Sequence, residues 1–132
     1  MMRFKFLFFL TTIVLFFLFS SCKKVAGDGG LASIQGKVYA IDYDKTGLIK
    51  SEGYLGDERV CLSYGNNTTV DAETRTSYTG EYKFDFLQKG DYTVFVYSPC
   101  DTCPLLQRSV LQKATIVERK EVITLDDLLI TQ

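Results

Sequence analysis

From residue 33 onward, apolar and polar side chains alternate with a period of two. Residues 33–41 put Ile34, Val38 and Ala40 on one face, and residues 59–64 put Val60, Leu62 and Tyr64 together. The alternation is cleanest over 81–86, where Tyr82, Phe84 and Phe86 oppose Glu81, Lys83 and Asp85. A period of two with one polar face predicts a half-buried antiparallel strand. Residues 92–98 differ, because Tyr92, Val94 and Val96 alternate with Thr93, Phe95 and Tyr97. Both faces are apolar, which predicts a central strand or one whose second face is covered. Residues 109–117 and 120–125 predict a hairpin about Glu118-Arg119, and 128–130 a last short strand. Turn chemistry at Gly65-Asn66-Asn67, Thr79-Gly80 and Lys89-Gly90-Asp91 separates these elements. The expectation is an all-β chain, one antiparallel β-sandwich of about seven strands over residues 33–132. Only 105–114 carries a stripe that a helix could use.

The start of the chain follows another pattern. Arg3 and Lys5 precede the run LFFLTTIVLFFLF at 7–19, in which only Thr11 and Thr12 are not apolar. Thirteen residues are short for a bilayer span, which needs about 20, but suit the hydrophobic region of a secretory signal. Ser20 and Ser21, both small, stand directly before Cys22. This arrangement resembles the lipobox of bacterial lipoproteins, with Phe19 where Leu is usual. The resemblance implies a signal peptide at 1–21, cleavage between Ser21 and Cys22, and fatty acylation (palmitate among the chains) of Cys22. Lys23 and Lys24 would add attraction to lipid headgroups. No Asp follows Cys22, which favours the outer membrane of a Gram-negative envelope over retention at the inner one. Residues 22–32, with three Gly, read as a flexible tether.

Composition narrows the function classes. The chain has 132 residues, 15 basic against 16 acidic, with no His and no Trp. Two of the basic residues lie in the signal segment, so the remainder is net acidic and offers little to a phosphate backbone; nucleic acid is not an expected partner. Without His there is no imidazole base, no His-bearing triad and no His-ligated metal.

The stretch Thr76-Ser77-Tyr78-Thr79-Gly80-Glu81-Tyr82-Lys83-Phe84, followed by Leu87, Gly90, Tyr92 and Val94, resembles transthyretin-like (prealbumin-like) modules. These include carboxypeptidase regulatory-like domains and Cna protein B-type repeats. Gly36-Lys37-Val38-Tyr39 is similar to their first strand. The resemblance implies an immunoglobulin-like sandwich and leaves the function open. Some such domains carry an internal Lys–Asn amide bond promoted by a buried Glu; the matching position here is Val96, so no such bond is expected.

Four candidate features remain. Cys100-Asp101-Thr102-Cys103 has the spacing of a thiol-exchange motif, provided that it opens a helix at 105–114. A structural disulfide is the alternative. The transthyretin-like strand order would bring Cys61 near Cys100, so Cys61–Cys100 and Cys61–Cys103 compete with Cys100–Cys103. Asp42-Tyr43-Asp44-Lys45-Thr46-Gly47 opens like a calcium loop, but its ninth and twelfth positions are Lys50 and Gly53, so no metal is expected. Asp126-Asp127 read as solvated turn residues. Phe95 and Tyr97 are covered by the 42–57 loop or form an exposed surface for a partner. The expected role is non-catalytic and without a cofactor: a membrane-anchored structural or interaction module. Peptide or glycan binding is the alternative, and thiol–disulfide exchange at Cys100 and Cys103 a second one.

Overall fold

The computed structural model describes residues 25–66 and 69–132. Ser21 and Cys22 lie outside the described residues, as does Asn67 of one expected turn. Among the described residues the chain is nearly all β, with nine strands: β1 (Asp28–Tyr43), β2 (Ile49–Tyr54), β3 (Arg59–Tyr64), β4 (Ala72–Arg75), β5 (Glu81–Leu87), β6 (Gly90–Pro99), β7 (Gln107–Ile116), β8 (Val122–Thr124) and β9 (Leu128–Thr131).

They form two sheets. One is built on β1, with β2 and β5 antiparallel to it and β8 and β9 parallel to it; the other runs β4-β3-β6-β7, all antiparallel. The inward faces meet in one core, where Ile34, Val38, Val60, Leu62, Tyr92, Val94, Val96 and Leu128 are fully buried. The alternation of 34/38, 60/62 and 92/94/96 therefore marked the true inner faces. At one end Ser98 Oγ accepts from the Thr131 N–H at 3.0 Å and so ties β6 to β9 across the two sheets.

Five expectations are corrected. The pair 109–117 and 120–125 is no hairpin: β7 pairs with β6, whereas β8 joins β1 in the other sheet. The Glu121 carboxylate accepts the Val117 and Glu118 N–H groups at 2.8 and 3.0 Å and turns the chain between the sheets. The stripe at 105–114 is not helical, because Leu105 and Leu106 take left-handed backbone angles (φ 62° and 56°) and β7 starts at Gln107. Phe86 does not join Tyr82 and Phe84. A bulge with φ 61° at Phe86 turns its ring outward, 70% exposed, and sends Leu87 into the core instead. Residues 42–57 are not a covering loop, since 49–54 form an edge strand on β1. Finally, strand β1 begins at Asp28 rather than at residue 33, so the tether reading of 22–32 fails for its second half.

Candidate functional site

The middle of β1, the start of β5, the end of β2, β4 and the β8–β9 junction surround a cleft of about 700 Å³. Its floor is set by a glycine. Gly36 faces Tyr82 in register, and a Cβ at Gly36 would come within 2.5 Å of the Tyr82 Oη. Only glycine lets the phenol ring lie across β1 there. Tyr82 forms part of the cleft wall, is 97% buried, and its Oη has no hydrogen-bond partner among the described residues. Burial, with the nearby Asp127 carboxylate adding to it, pushes its pKa far above the ordinary tyrosine value. The group is therefore a neutral hydroxyl at any physiological pH.

Polar groups line the rest of the cleft. Lys37 Nζ pairs with Glu81 at 3.1 Å and lies 4.9 Å from the centre of the Tyr54 ring. Tyr54 Oη donates to Asp127 at 3.1 Å, and the edge of Tyr39 packs on the Tyr54 ring with centroids 5.2 Å apart. Gln35 Nε2 donates to Thr124 Oγ1 at 3.1 Å. The other two cations of the cleft are paired as well, Lys83 with Asp85 and Arg75 with Asp57. The cleft thus combines hydroxyls, an amide, an exposed aromatic ring and balanced charge. Such a set can hydrogen-bond an uncharged polyol or a peptide backbone. No cluster of His, Cys, Asp or Glu able to hold a metal occurs among the described residues.

The residues singled out in the sequence fall elsewhere. Cys100 and Cys103 are disulfide-bonded to each other, with Cα atoms 5.4 Å apart, in the connection from β6 to β7. Only a three-residue 3-10 turn, Pro104–Leu106, follows, so a thiol-exchange motif would lack the α-helix N-terminus that lowers a thiol pKa. Cys61 is unbridged and buried, in register with Phe95. Phe95 lies five residues before Cys100 on an extended strand, roughly 17 Å away. A disulfide needs Cα atoms within about 7 Å, so both Cys61 pairings are overturned. Burial raises the Cys61 pKa.

Phe95 is fully buried although it points away from the core, and Tyr97 is half-buried. Cys61 and Leu111 flank Phe95 on the neighbouring strands, and the Tyr97 ring meets it edge-on at 5.6 Å. Phe95 therefore presents no exposed surface and is flanked by neighbours in its own sheet rather than by residues 42–57, whereas Tyr97 keeps partial exposure. Asp44 spends its carboxylate on the Thr46 and Leu48 N–H groups (2.8 and 3.0 Å), holding the β1–β2 turn. Asp127 contributes to the cleft, which the sequence reading missed. The signal that could have found the cleft is the pairing of Gly36 with a large aromatic.

No family model and no curated protein matches the chain. Among solved structures it is similar to a Pseudomonas aeruginosa protein whose name proposes, without establishing, carbohydrate binding. The two are 16% identical, the match covers 81% of this chain and 92% of that one, and the TM-score is 0.44.

Proposed function

We propose that this chain is a lipid-anchored, non-catalytic β-sandwich of the bacterial cell envelope, held by acyl chains on Cys22 and acting as a structural or interaction module. The observation that carries the anchor is the sequence Arg3, Lys5, the apolar run 7–19 and Ser20-Ser21 before Cys22. A thirteen-residue, mostly apolar stretch is short for a span and ends two residues before the proposed cleavage at Ser21–Cys22. Several acyl chains hold a protein on a bilayer far longer than one can, at about 0.8 kcal/mol for each buried CH₂. The transthyretin-like reading has the support of Tyr82, Phe84, Tyr92 and Val94, which all point into the core shared by the two sheets. Radiolabelled palmitate supplied to expressing cells is expected to enter the protein, and Cys22→Ser is expected to remove both the label and the membrane fraction. A chain that stays unlabelled while the Ser21–Cys22 bond is intact overturns the anchor.

The cleft favours a second reading, in which the module binds an uncharged glycan. The carrying observation is the half-exposed Tyr54 ring in a cleft whose lining also holds neutral hydroxyls and an amide. Fragment 25–132 on a glycan array is the test. Binding that Tyr54→Ala abolishes supports the cleft, and uniform silence removes it.

A further inference from the structure

We infer that the end of the sandwich from which the N-terminus emerges lies directly on the lipid surface, with Phe86 as its inserting side chain. The inference rests on the anchor proposed at Cys22 and concerns the orientation of the body upon it.

The tether expected at 22–32 is largely used up by the fold. Ala26 packs against the core beside Gly90. The Gly27 N–H donates to Tyr92 Oη at 3.0 Å, and the Gly27 carbonyl accepts from the Gln88 N–H at 2.8 Å. Asp28 is held twice, its carboxylate by Tyr64 Oη and its carbonyl by Gln88 Nε2, both at 2.6 Å. The chain is thus fixed to the body from Ala26 onward. Three residues, hence four Cα–Cα steps, separate Ala26 from Cys22, a reach of at most about 14 Å. The headgroup layer itself is about 6 Å thick on each side of a bilayer. A body fixed so close to its acyl chains stands on the headgroups rather than above them.

The surface at that end is suited to such contact. Val25, Leu31, Phe86, Val117 and Val122 are all more than half exposed there. They lie in the segments that close this end: the start of β1, the end of β5 and the 117–122 connection. Phe86 is both strained and exposed. A left-handed backbone at a non-glycine residue is strained, and here the strain turns a phenyl ring into water. Lys89 and Arg119 line one surface depression with Gly29 and Gly30, and Lys120, Lys23 and Lys24 are adjacent in the sequence. Lys89, Arg119 and Lys120 share this end with the carboxylates of Asp28, Asp85, Glu118 and Glu121, so the apolar side chains and the short link to Cys22, rather than net charge, carry the contact. The opposite end, carrying Leu105, lies the ten residues of β6 away, about 30 Å.

The chain contains no Trp, so one tryptophan reports cleanly. Full-length chain carrying Phe86→Trp or Leu105→Trp is taken from bacterial membranes into vesicles of phosphatidylethanolamine and phosphatidylglycerol containing brominated lipid. Its mass gives the acylation state. Insertion of about 5–10 Å is expected to quench Phe86→Trp at least about two-fold more than Leu105→Trp. Acylated protein with both positions equally unquenched overturns the orientation and leaves the anchor standing. Quenching of Phe86→Trp in unacylated protein supports the orientation and removes the anchor. Protein that is neither acylated nor quenched removes both. A blue shift at position 86 that grows with protein concentration, without bromine quenching, assigns the patch to a second copy and also overturns the lipid contact.

Discussion

Tyr82→Phe tests the cleft through stability, because the side chain does two opposed things. Its ring fills the core between the two sheets over Gly36, whereas its hydroxyl is buried without a partner. Phenylalanine keeps the first and removes the second. An unpaired buried hydroxyl costs about 1–3 kcal/mol relative to its hydrated state in the unfolded chain. The substitution is therefore expected to stabilise the protein by about 1 kcal/mol, raising the thermal midpoint by about 4 °C for a body of this size. Urea titration and calorimetry measure both. The substitution also changes the alkaline limb. The Tyr82 pKa in the fold lies above its unfolded value of about 10, so the folded state holds the proton more tightly. That contribution is complete below pH 10 and is lost as pH rises through the folded value. Tyr64, which donates to the Asp28 carboxylate and is pushed up by burial to about 12, loses its share between pH 10 and 12. The variant is thus expected to resist alkali better than the parent without becoming indifferent to it. A loss of about 1 kcal/mol or more at pH 7 refutes this, since it means that the hydroxyl is bonded in the folded protein.

Phe95→Ala is expected to cost about 3–5 kcal/mol in urea unfolding despite its outward-pointing position, because the ring is fully buried; a cost below about 1 kcal/mol would show its cover to be loose. Gly30→Ala is expected to cost about 4 kcal/mol or more. Its Cβ would sit 1.7 Å from the Leu87 carbonyl oxygen, inside the bulge where β1 passes β5; soluble, fully folded variant protein would contradict this. The Cys61 thiol, buried and with its pKa raised, is expected to react with iodoacetamide only as fast as the protein unfolds. Rapid native labelling read by mass would refute the burial. Cys100→Ser opens a very short loop and is expected to cost about 2 kcal/mol with an unchanged circular dichroism spectrum. Insulin reduction by the parent that the substitution abolishes would restore the thiol-exchange reading.

What could be read from the sequence was what period-two burial imposes. Val60/Leu62, Tyr82/Phe84 and Tyr92/Val94/Val96 had to face a common core, and they do. β2 and β4 left no such trace for a physical reason. Ile49–Tyr54 is an edge strand held by backbone pairing to β1, with nearly every side chain exposed, so no face selects its residues. β4 has four residues, and its outward Glu73 and Arg75 look like any polar connection. The cleft was hidden for another reason. Gln35, Tyr54, Ser77, Tyr82 and Asp127 come together only through strand order and register, and neither is written in local spacing.

The bulges carry most of the misreadings and most of the interest. One inserted residue reverses every later side chain on a strand. At Phe86 it exchanges a phenylalanine for Leu87 in the core, and near Gly30 it folds a glycine-rich spacer onto the body. A glycine-rich segment in sequence is flexible only while nothing gains by holding it. Here Tyr92, Gln88 and Tyr64 supply hydrogen-bond partners for Gly27 and Asp28, so the same composition serves as the first part of β1. The two consequences meet at one end of the molecule. Under the anchor proposed at Cys22, a free chain of about four residues would bring the body down to the bilayer, and the bulge at Phe86 would present an aromatic ring at the end that arrives there.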